Sequence, residues 1–237
     1  IARWNGSSWS ALGTGMNGAV RALAVSGTDL YAGGDFTTAG GVTVNRIARW
    51  NGSSWSALGT GIEGHSVYAI AVLGTDIYVG GDFWKAGEVS VGRIARWNGS
   101  SWSALGTGMN GDVRALVVSG TDLYAGGFFT TAGGVTVNRI ARWNGSSWSA
   151  LGTGMNGAVR ALAVSGTDLY AGGDFTTAGG VTVNRIARWN GSSWSALGTG
   201  MNNTVWTLAV SGTDLYAGGG FTTAGGVTVN RIARWNG

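Results

Sequence analysis

Short apolar stretches recur along the whole chain, and none shows the 3.6-residue spacing of an amphipathic helix. In the first copy of the pattern, residues 20–25 are apolar on both faces, and residues 30–34 follow after a Ser-Gly-Thr-Asp turn. Residues 46–50 and 55–58 flank an Asn-Gly-Ser-Ser turn, and Asn-Gly accepts the positive φ angles of a tight hairpin at low cost. The pattern therefore predicts four antiparallel strands per repeat, with a long loop over 35–45.

A single unit of 46 residues is repeated about five times. The hexapeptide Ile-Ala-Arg-Trp-Asn-Gly begins at Ile1, Ile47, Ile94, Ile140, Ile186 and Ile232. One spacing is longer by a residue inserted near His65, and copies 1–46 and 140–185 are identical. We divide the chain into repeats 1–46, 47–93, 94–139, 140–185 and 186–231 and a spare strand, 232–237. A fixed period of about 20–50 residues indicates a solenoid, a propeller or an array.

Four short antiparallel strands in about 40–50 residues are typical of a propeller blade. We therefore expect an all-β chain forming one domain, a five-bladed β-propeller of four-stranded antiparallel blades. The small apolar strand 20–25 suits the crowded axis, and the alternating strand 55–58 suits the outer edge. The third strand occurs six times and the others five times, so the N-terminal segment can complete the last blade. One copy is then redundant: a terminus is displaced, or the strand pairs with a neighbouring molecule.

The repeat resembles the kelch motif, in which a glycine pair ends one strand and an aromatic and a tryptophan follow. The matching segments are Leu-Tyr-Ala-Gly-Gly at 30–34, Arg-Ile-Ala-Arg-Trp-Asn at 46–51 and Trp-Ser-Ala-Leu at 55–58, once in each repeat. Tryptophan stands where kelch repeats usually have tyrosine, and the loop after the glycine pair is long. The resemblance implies a propeller, but kelch-like propellers serve many functions and it names no ligand.

Composition excludes several classes of function. The chain has 44% hydrophobic residues and 13 tryptophans, enough for a large core, and only 11% charged residues. Cysteine is absent, which excludes disulfides and thiolate metal sites. No stretch approaches the roughly 20 apolar residues of a membrane span, so membrane insertion is not expected. The net charge is +4, but the arginines are evenly spread and Lys85 is the only lysine, so nucleic acid is not an expected partner.

The copies differ mainly at one end of each predicted blade. The loops after the strand 55–58 and after the glycine pair share this end, which we call the top end. At the start of the first strand the equivalent residues are Arg21, Tyr68, Arg114, Arg160 and Trp206. The residues just before them are Ala19, His65-Ser66, Asp112, Ala158 and Thr204. After the glycine pair they are Asp35, Asp82, Phe128, Asp174 and Gly220.

All four aromatic residues that are not repeated in every copy map to these top ends. An exposed aromatic cluster with charges around it is typical of a binding surface, and the mouth of a propeller channel is a concave site. We therefore predict a binding site for a carbohydrate or a protein, without a cofactor. Its predicted residues are Arg21, Tyr68, Arg114, Arg160, Trp206, Phe128, Trp84, His65, Asp35, Asp82 and Asp174. Drift of exposed loops explains variation but less easily explains four aromatic gains without a loss.

Catalytic and metal chemistry find little support. His65 is the only histidine, which disfavours a histidine-based triad or a multi-histidine metal site, so we expect no enzyme. Asp35, Asp82 and Asp174 could form a calcium ring, but Phe128 and Gly220 interrupt it. The best enzymatic alternative is a sialidase-like site, in which Arg21, Arg114 and Arg160 clamp a carboxylate. Tyr68 and Glu63 would lie nearby, yet the Asp-box turns of sialidases are missing. A ligand-free or designed scaffold, as a monomer or assembled through an edge strand, is the remaining alternative.

Two recurrent polar features have structural explanations. The aspartate that ends each Ser-Gly-Thr-Asp turn, Asp29 in the first repeat, is expected to cap the turn or to pair with a repeated arginine. The Asn-Gly-Ser segments match glycosylation sequons, but the hairpin turn explains them without a sugar.

Overall fold

A computed structural model describes all 237 residues, and every regular element in it is a β-strand. The chain divides into two compact units, Ile1–Gly108 and Met109–Gly237. The structure contains no helix with the length and apolar character needed to cross a membrane.

The first unit contains a short hairpin followed by two blades. The hairpin strands are β1 (Ala2–Trp4) and β2 (Trp9–Ala11). Blade one contains β3 (Val20–Ser26), β4 (Asp29–Gly34), β5 (Thr38–Ala39), β6 (Val42–Thr43), β7 (Ile47–Trp50) and β8 (Trp55–Ala57). Blade two contains β9 (Ile62–Leu73), β10 (Asp76–Ala86), β11 (Val89–Ser90), β12 (Ile94–Trp97) and β13 (Trp102–Ala104).

The second unit contains three blades. Blade three contains β14 (Val113–Ser119), β15 (Asp122–Gly127), β16 (Thr131–Ala132), β17 (Val135–Thr136), β18 (Ile140–Trp143) and β19 (Trp148–Ala150). Blade four contains β20 (Val159–Ser165), β21 (Asp168–Gly173), β22 (Thr177–Ala178), β23 (Val181–Thr182), β24 (Ile186–Trp189) and β25 (Trp194–Ala196). Blade five contains β26 (Val205–Ser211), β27 (Asp214–Gly219), β28 (Thr223–Ala224), β29 (Val227–Thr228) and β30 (Ile232–Trp235).

The strand order within a blade follows the predicted meander. Blade one is antiparallel in the order β3-β4-β7-β8, and blades three and four repeat this order with their own strands. The first strands of successive blades within a unit pack against each other, β3 against β9 and β14 against β20. The apolar first strand is therefore the one that meets the next blade, and Trp-Ser-Ala lies at the sheet edge.

The glycine pair is required by close packing on both sides. A Cβ built on Gly33 would lie 2.5 Å from Cγ1 of Val67 in the next blade. A Cβ built on Gly34 would lie 2.0 Å from the carbonyl oxygen of Ala19 within the same blade. Any larger side chain would force the blades apart or break the first hairpin, because both positions are far inside van der Waals contact.

In blades one, two and four, the fourth-strand tryptophan is hydrogen-bonded to the preceding repeat. Trp55 is 5% exposed, and its Nε1 donates a 2.9 Å hydrogen bond to the carbonyl oxygen of Leu12, 43 residues earlier. Trp194 donates in the same way to Leu151 in the second unit. These indoles combine a large apolar contact with a satisfied hydrogen-bond donor.

The recurrent aspartate pairs with a recurrent arginine, as one of the two interpretations predicted. Arg49 Nε lies 2.7 Å from Asp29 Oδ2, and each other blade has its equivalent pair. The Asn-Gly turns also have the expected local explanation: Asn51 Oδ1 accepts hydrogen bonds from the backbone of Ser53 and Ser54 at 3.0 and 2.9 Å.

The loop predicted over 35–45 contains a small ribbon. Strands β5 and β6 pair across Gly40 and Gly41, whose φ angles are +57° and +84°. Blade two lengthens this arrangement: β10 continues without interruption and pairs with β9 as far as Ala86 opposite Ile62. Strands of only two residues lack a sequence pattern long enough to reveal them.

Blade five has three strands in its main sheet, in the order β26-β27-β30. The hairpin β1–β2 forms a two-stranded sheet of its own. Strand β30 pairs with β27 in the register that β7 uses with β4. The sixth copy of the third strand is thus the one paired in blade five.

Candidate binding site

A β-bulge places one variable residue at the start of every first strand. In blade one, Val20 opposes Gly34 and Ala22 opposes Gly33, which leaves Arg21 as the extra residue. The other four blades show the same register shift at Tyr68, Arg114, Arg160 and Trp206. A bulge frees a residue from the ladder and re-aims its side chain. The five residues that sequence comparison selected at this position are therefore the five bulge residues.

In the first unit, Arg21 and Asp35 form a charge-assisted pair at the top end of blade one. Arg21 donates from Nε at 2.8 Å and from Nη2 at 2.6 Å to the Asp35 carboxylate. The hydrogen bond from Arg21 lowers the pKa of Asp35, and the bond to Asp35 raises the pKa of Arg21. The guanidinium also lies 5.7 Å from the ring centroid of Tyr68 in blade two, so the two bulge residues are stacked.

Blade two carries a separate cluster on its lengthened hairpin. The rings of His65 and Trp84 meet edge to face at 5.7 Å, and Trp84 Nε1 donates a 3.3 Å hydrogen bond to Glu63. Trp84 is 51% exposed. Lys85 Nζ lies 2.9 Å from Glu88, whose hydrogen bond raises the pKa of Lys85.

Glu63 and Trp84 of blade two stand where the other four blades form a polar contact between an asparagine and a threonine. In blade one, Asn17 Nδ2 donates to Thr37 Oγ1 at 2.8 Å, and Asn17 Oδ1 accepts from the backbone of Thr37 and Thr38. Blade two has Glu63 at the asparagine position and Trp84 at the first threonine position, and these two now bond to each other. Asp82, at the position of Asp35, lies 3.9 Å from Arg93.

In the second unit, Phe128 lies against two arginines. The guanidinium carbons of Arg114 and Arg160 are each 5.2 Å from the centroid of its ring, and Phe128 is 38% exposed. An exposed ring in contact with two cations is a cation–π arrangement. It brings together three of the predicted site residues from blades three and four.

Blade three has phenylalanine, Phe128, at the usual aspartate position and has an aspartate at position 112. Arg114 Nη2 lies 2.9 Å from Asp112, which stands where the first and fourth repeats have alanine. The arginine therefore has a carboxylate partner even though the usual aspartate position is aromatic. Asp112 was not among the predicted site residues. The sequence does contain a signal for Asp112. The one repeat that has phenylalanine after its glycine pair is also the one repeat that has an aspartate just before its first strand.

Blade four retains the usual pair and shares it with blade five. Arg160 Nη2 lies 2.8 Å from Asp174, and Thr204 of blade five donates a 2.9 Å hydrogen bond to the same carboxylate. Burial raises the pKa of Asp174, but the hydrogen bonds from Arg160 and Thr204 outweigh it, and the net shift is downward. Sequence reasoning identified Thr204 as variable but did not include it in the site.

Trp206 lies over Gly220, which occupies the position where blades one, two and four have an aspartate. A Cβ built on Gly220 would lie 3.5 Å from Cζ2 of Trp206. The arginine and the aspartate of the usual pair are thus both replaced in blade five, and Trp206 is 60% exposed. Within the second unit, the bulge residues present two arginines and a tryptophan.

The three bulge arginines are already paired within the protein. Arg21, Arg114 and Arg160 each have an aspartate of their own unit within 2.9 Å. No group of three histidine, cysteine, aspartate or glutamate side chains is arranged to hold a metal ion. What faces solvent are planar surfaces of tryptophan, phenylalanine and arginine, which stack on planar or ring-shaped ligands.

Comparison with solved structures identifies the class of fold. The WD40 β-propeller domain of Doa1 matches with a TM-score of 0.61 at 14% identity, over 91% of this chain and 67% of that chain. A chain of the mitotic checkpoint complex matches with a TM-score of 0.62 at 19% identity, over 93% and 66%. This chain thus spans about two thirds of the length of each. No protein-family model matches the chain, and no curated protein sequence is significantly similar to it.

The chain is an all-β protein with a five-bladed β-propeller fold, and the Doa1 domain that it resembles is a WD40 β-propeller. The predicted fold class is confirmed. Identities below 20% establish the fold alone, because propellers of one architecture bind unrelated ligands.

Proposed function

We propose that this propeller is a non-enzymatic binding protein whose ligand, a carbohydrate or a protein, contacts the bulge residues at the top ends of the blades. The observation that carries the proposal is the bulge itself. In all five blades the residue released from the ladder is arginine, tyrosine or tryptophan, the three residue types that dominate binding hot spots.

The internal pairing of the arginines favours stacking over charge recognition. Each of the three bulge arginines already has an aspartate partner, so an anionic ligand would have to displace it. The paired guanidiniums remain flat and ordered, which lowers the entropy cost of binding a ligand against them. This internal pairing disfavours a sialidase-like site, in which the arginines would bind a carboxylate of the ligand. Glu63, the carboxylate expected near Tyr68 in such a site, likewise accepts a hydrogen bond from Trp84.

Two observations bear on the class of ligand. Trp206 and Trp84 expose indole faces of the kind that stack on sugar rings, which supports a lectin-like function. The composition of the bulge positions also suits a protein partner. One of the similar propellers was solved in the mitotic checkpoint complex, and by analogy of fold alone this supports a protein ligand. The kelch-like character of the repeat is compatible with either.

The test is a glycan array together with capture of binding peptides from a displayed random library. It uses the intact chain, a Tyr68→Ala/Trp206→Ala variant and the matched control Trp4→Ala, which removes an exposed tryptophan outside the site. We expect a ligand whose affinity falls at least about 10-fold in the double variant and is unchanged in the control, since hot-spot truncations cost about 2 kcal/mol or more. A ligand bound equally by all three proteins contradicts the proposal.

A further inference from the structure

Blade five contains an open apolar cavity at the position where the other blades hold a tryptophan. The cavity has a volume of about 200 Å³, and its lining includes Leu197, Met201, Leu215, Ala224 and Trp235. In blade four, a Cβ built on Gly179 would lie 2.9 Å from Cδ1 of Trp194. The equivalent Cβ on Gly225 in blade five would meet no atom within 4 Å. The cavity therefore has the place and the walls of a fourth-strand indole site.

The surroundings of the cavity lack the other contacts of a fourth strand. Strand β30 pairs with β27 on one edge only, whereas β24 pairs with both β21 and β25. The carbonyl oxygens of Leu58 and Leu151 each accept a hydrogen bond from an indole in addition to one from a backbone glycine, whereas that of Leu197 accepts from the backbone of Gly200 and from no indole.

The hairpin β1–β2 carries the side chain that such a cavity accepts. Trp9 is 70% exposed, whereas Trp148, the same position in the identical repeat 140–185, is 5% exposed. The hairpin pairs only with itself, and an isolated two-stranded hairpin has little stability in water. Identical sequences thus differ only because one of them lacks a sheet to join.

We propose that the hairpin β1–β2 of one copy of this chain completes blade five of a second copy. In this arrangement β1 replaces β30 against β27, β2 becomes the fourth strand, and Trp9 enters the cavity. The exchange conserves the backbone pairing, because residues 1–6 and 232–237 have the same sequence. It adds one strand and the burial of one tryptophan, so the hairpin is the better partner for β27.

One observation identifies the hairpin β1–β2 as the occupant, and a second favours a hairpin from another copy. The same Trp-Ser-Ala strand fills the equivalent site in the other four blades, so its fit is demonstrated within the chain. In addition, Leu23 and Val25 on β3 are 54% and 66% exposed and Ile232 on β30 is 65% exposed, although Ile47, at the position of Ile232 in blade one, is fully buried. Apolar surface left open at both the first and the last blade favours self-association.

The experiment measures the mass of the intact 237-residue chain by light scattering and sedimentation across a concentration series. We expect a dimer from reciprocal exchange, or longer chains from one-way exchange. Trp9→Ala removes the anchor, Ala224→Leu fills the cavity, and each is expected to weaken association by about 100-fold, the equivalent of a buried tryptophan contact. Val227→Arg places a charge at the exposed rim of the cavity and serves if Ala224→Leu does not fold.

The decisive step is complementation. Trp9→Ala chains retain an open cavity, and Ala224→Leu or Val227→Arg chains retain an intact hairpin, so mixing the two kinds should restore a heterodimer while neither associates alone. Trp206→Ala, which removes an exposed tryptophan elsewhere, should keep the wild-type mass. A wild-type chain that is monomeric at every concentration overturns the proposal, whether Trp9 is then protected within its own chain or exposed. Association that survives both variants, or a mixture that stays monomeric, overturns it as well.

Discussion

Arg160 on β20 and Asp174, the residue that follows β21, are 14 residues apart and are joined by hydrogen bonds of 2.8 to 2.9 Å. Thr204 of blade five bonds to the same carboxylate. One aspartate thereby fixes a bulge residue and connects two blades, which makes it the best single position at which to test the electrostatics of the site.

The pH dependence of stability should show this pair. The folded-state pKa values of Asp174 and Asp35 lie below their ordinary values, so their stabilisation is present above about pH 4 and is lost as the pH falls through the lowered values. We expect Asp174→Asn to reduce the fall in melting temperature between about pH 5 and pH 3. The effect should be about 1 kcal/mol or less, because the side chains are one-third exposed. Parallel pH profiles for the variant and the wild type would contradict this assignment.

The buried fourth-strand tryptophans should dominate stability. Trp194 is 5% exposed and donates to Leu151, so Trp194→Ala should cost about 3–5 kcal/mol in the free energy of unfolding. Chemical denaturation measures this cost. Trp206→Ala is the matched control and should change stability by about 0.5 kcal/mol or less, because Trp206 is largely exposed. Equal costs would show that Trp194 does not link the repeats.

The glycine pair should show coupling between blades. A Cβ on Gly126 would lie 2.4 Å from Cγ1 of Val159 in the next blade, so Gly126→Ala should destabilise by about 1–3 kcal/mol. Val159→Ala removes the clashing methyl group. In a double-mutant cycle monitored by thermal unfolding, the double variant should be more stable than the sum of the single effects predicts. Strict additivity would argue against the close contact.

The asparagine that precedes the first strand in four of the five blades should hold the site loop in place. Asn156 Nδ2 donates to Thr176 Oγ1 at 2.8 Å, and its Oδ1 accepts from the backbone of Thr176 and Thr177 at 2.8 and 3.0 Å. Asn156→Ala should cost about 1–2 kcal/mol, whereas Asn156→Asp, which still accepts but cannot donate, should cost less. Hydrogen exchange at the two threonine amides reports the contact directly. Unchanged exchange in Asn156→Ala would contradict it.

The sequence predicted most of the architecture because its information is repeated. Strand positions agreed with the structure to within about one residue in blade one, and two of the four aromatic exceptions, Tyr68 and Trp206, are bulge residues. Local periodicity and turn chemistry were sufficient for this, since they act over a few residues.

The rest depended on contacts that no local pattern records. Arg114 pairs with Asp112 because blade three has its aspartate before the first strand and not after the glycine pair. The hydrogen bond from Thr204 to Asp174 connects residues that are 30 positions apart. Trp9 and Trp148 make the limit plain: their repeats are identical in sequence, yet one indole is exposed and the other is buried. Environment, not sequence, separates them.

The bulge has one further consequence. Because the residue it releases takes no part in strand pairing, its side chain can change without altering the register of any blade. Arginine, tyrosine and tryptophan already occupy this position on the same backbone. The five positions can therefore be changed one blade at a time while every blade keeps its strand register, so a new recognition surface could be composed on this fold.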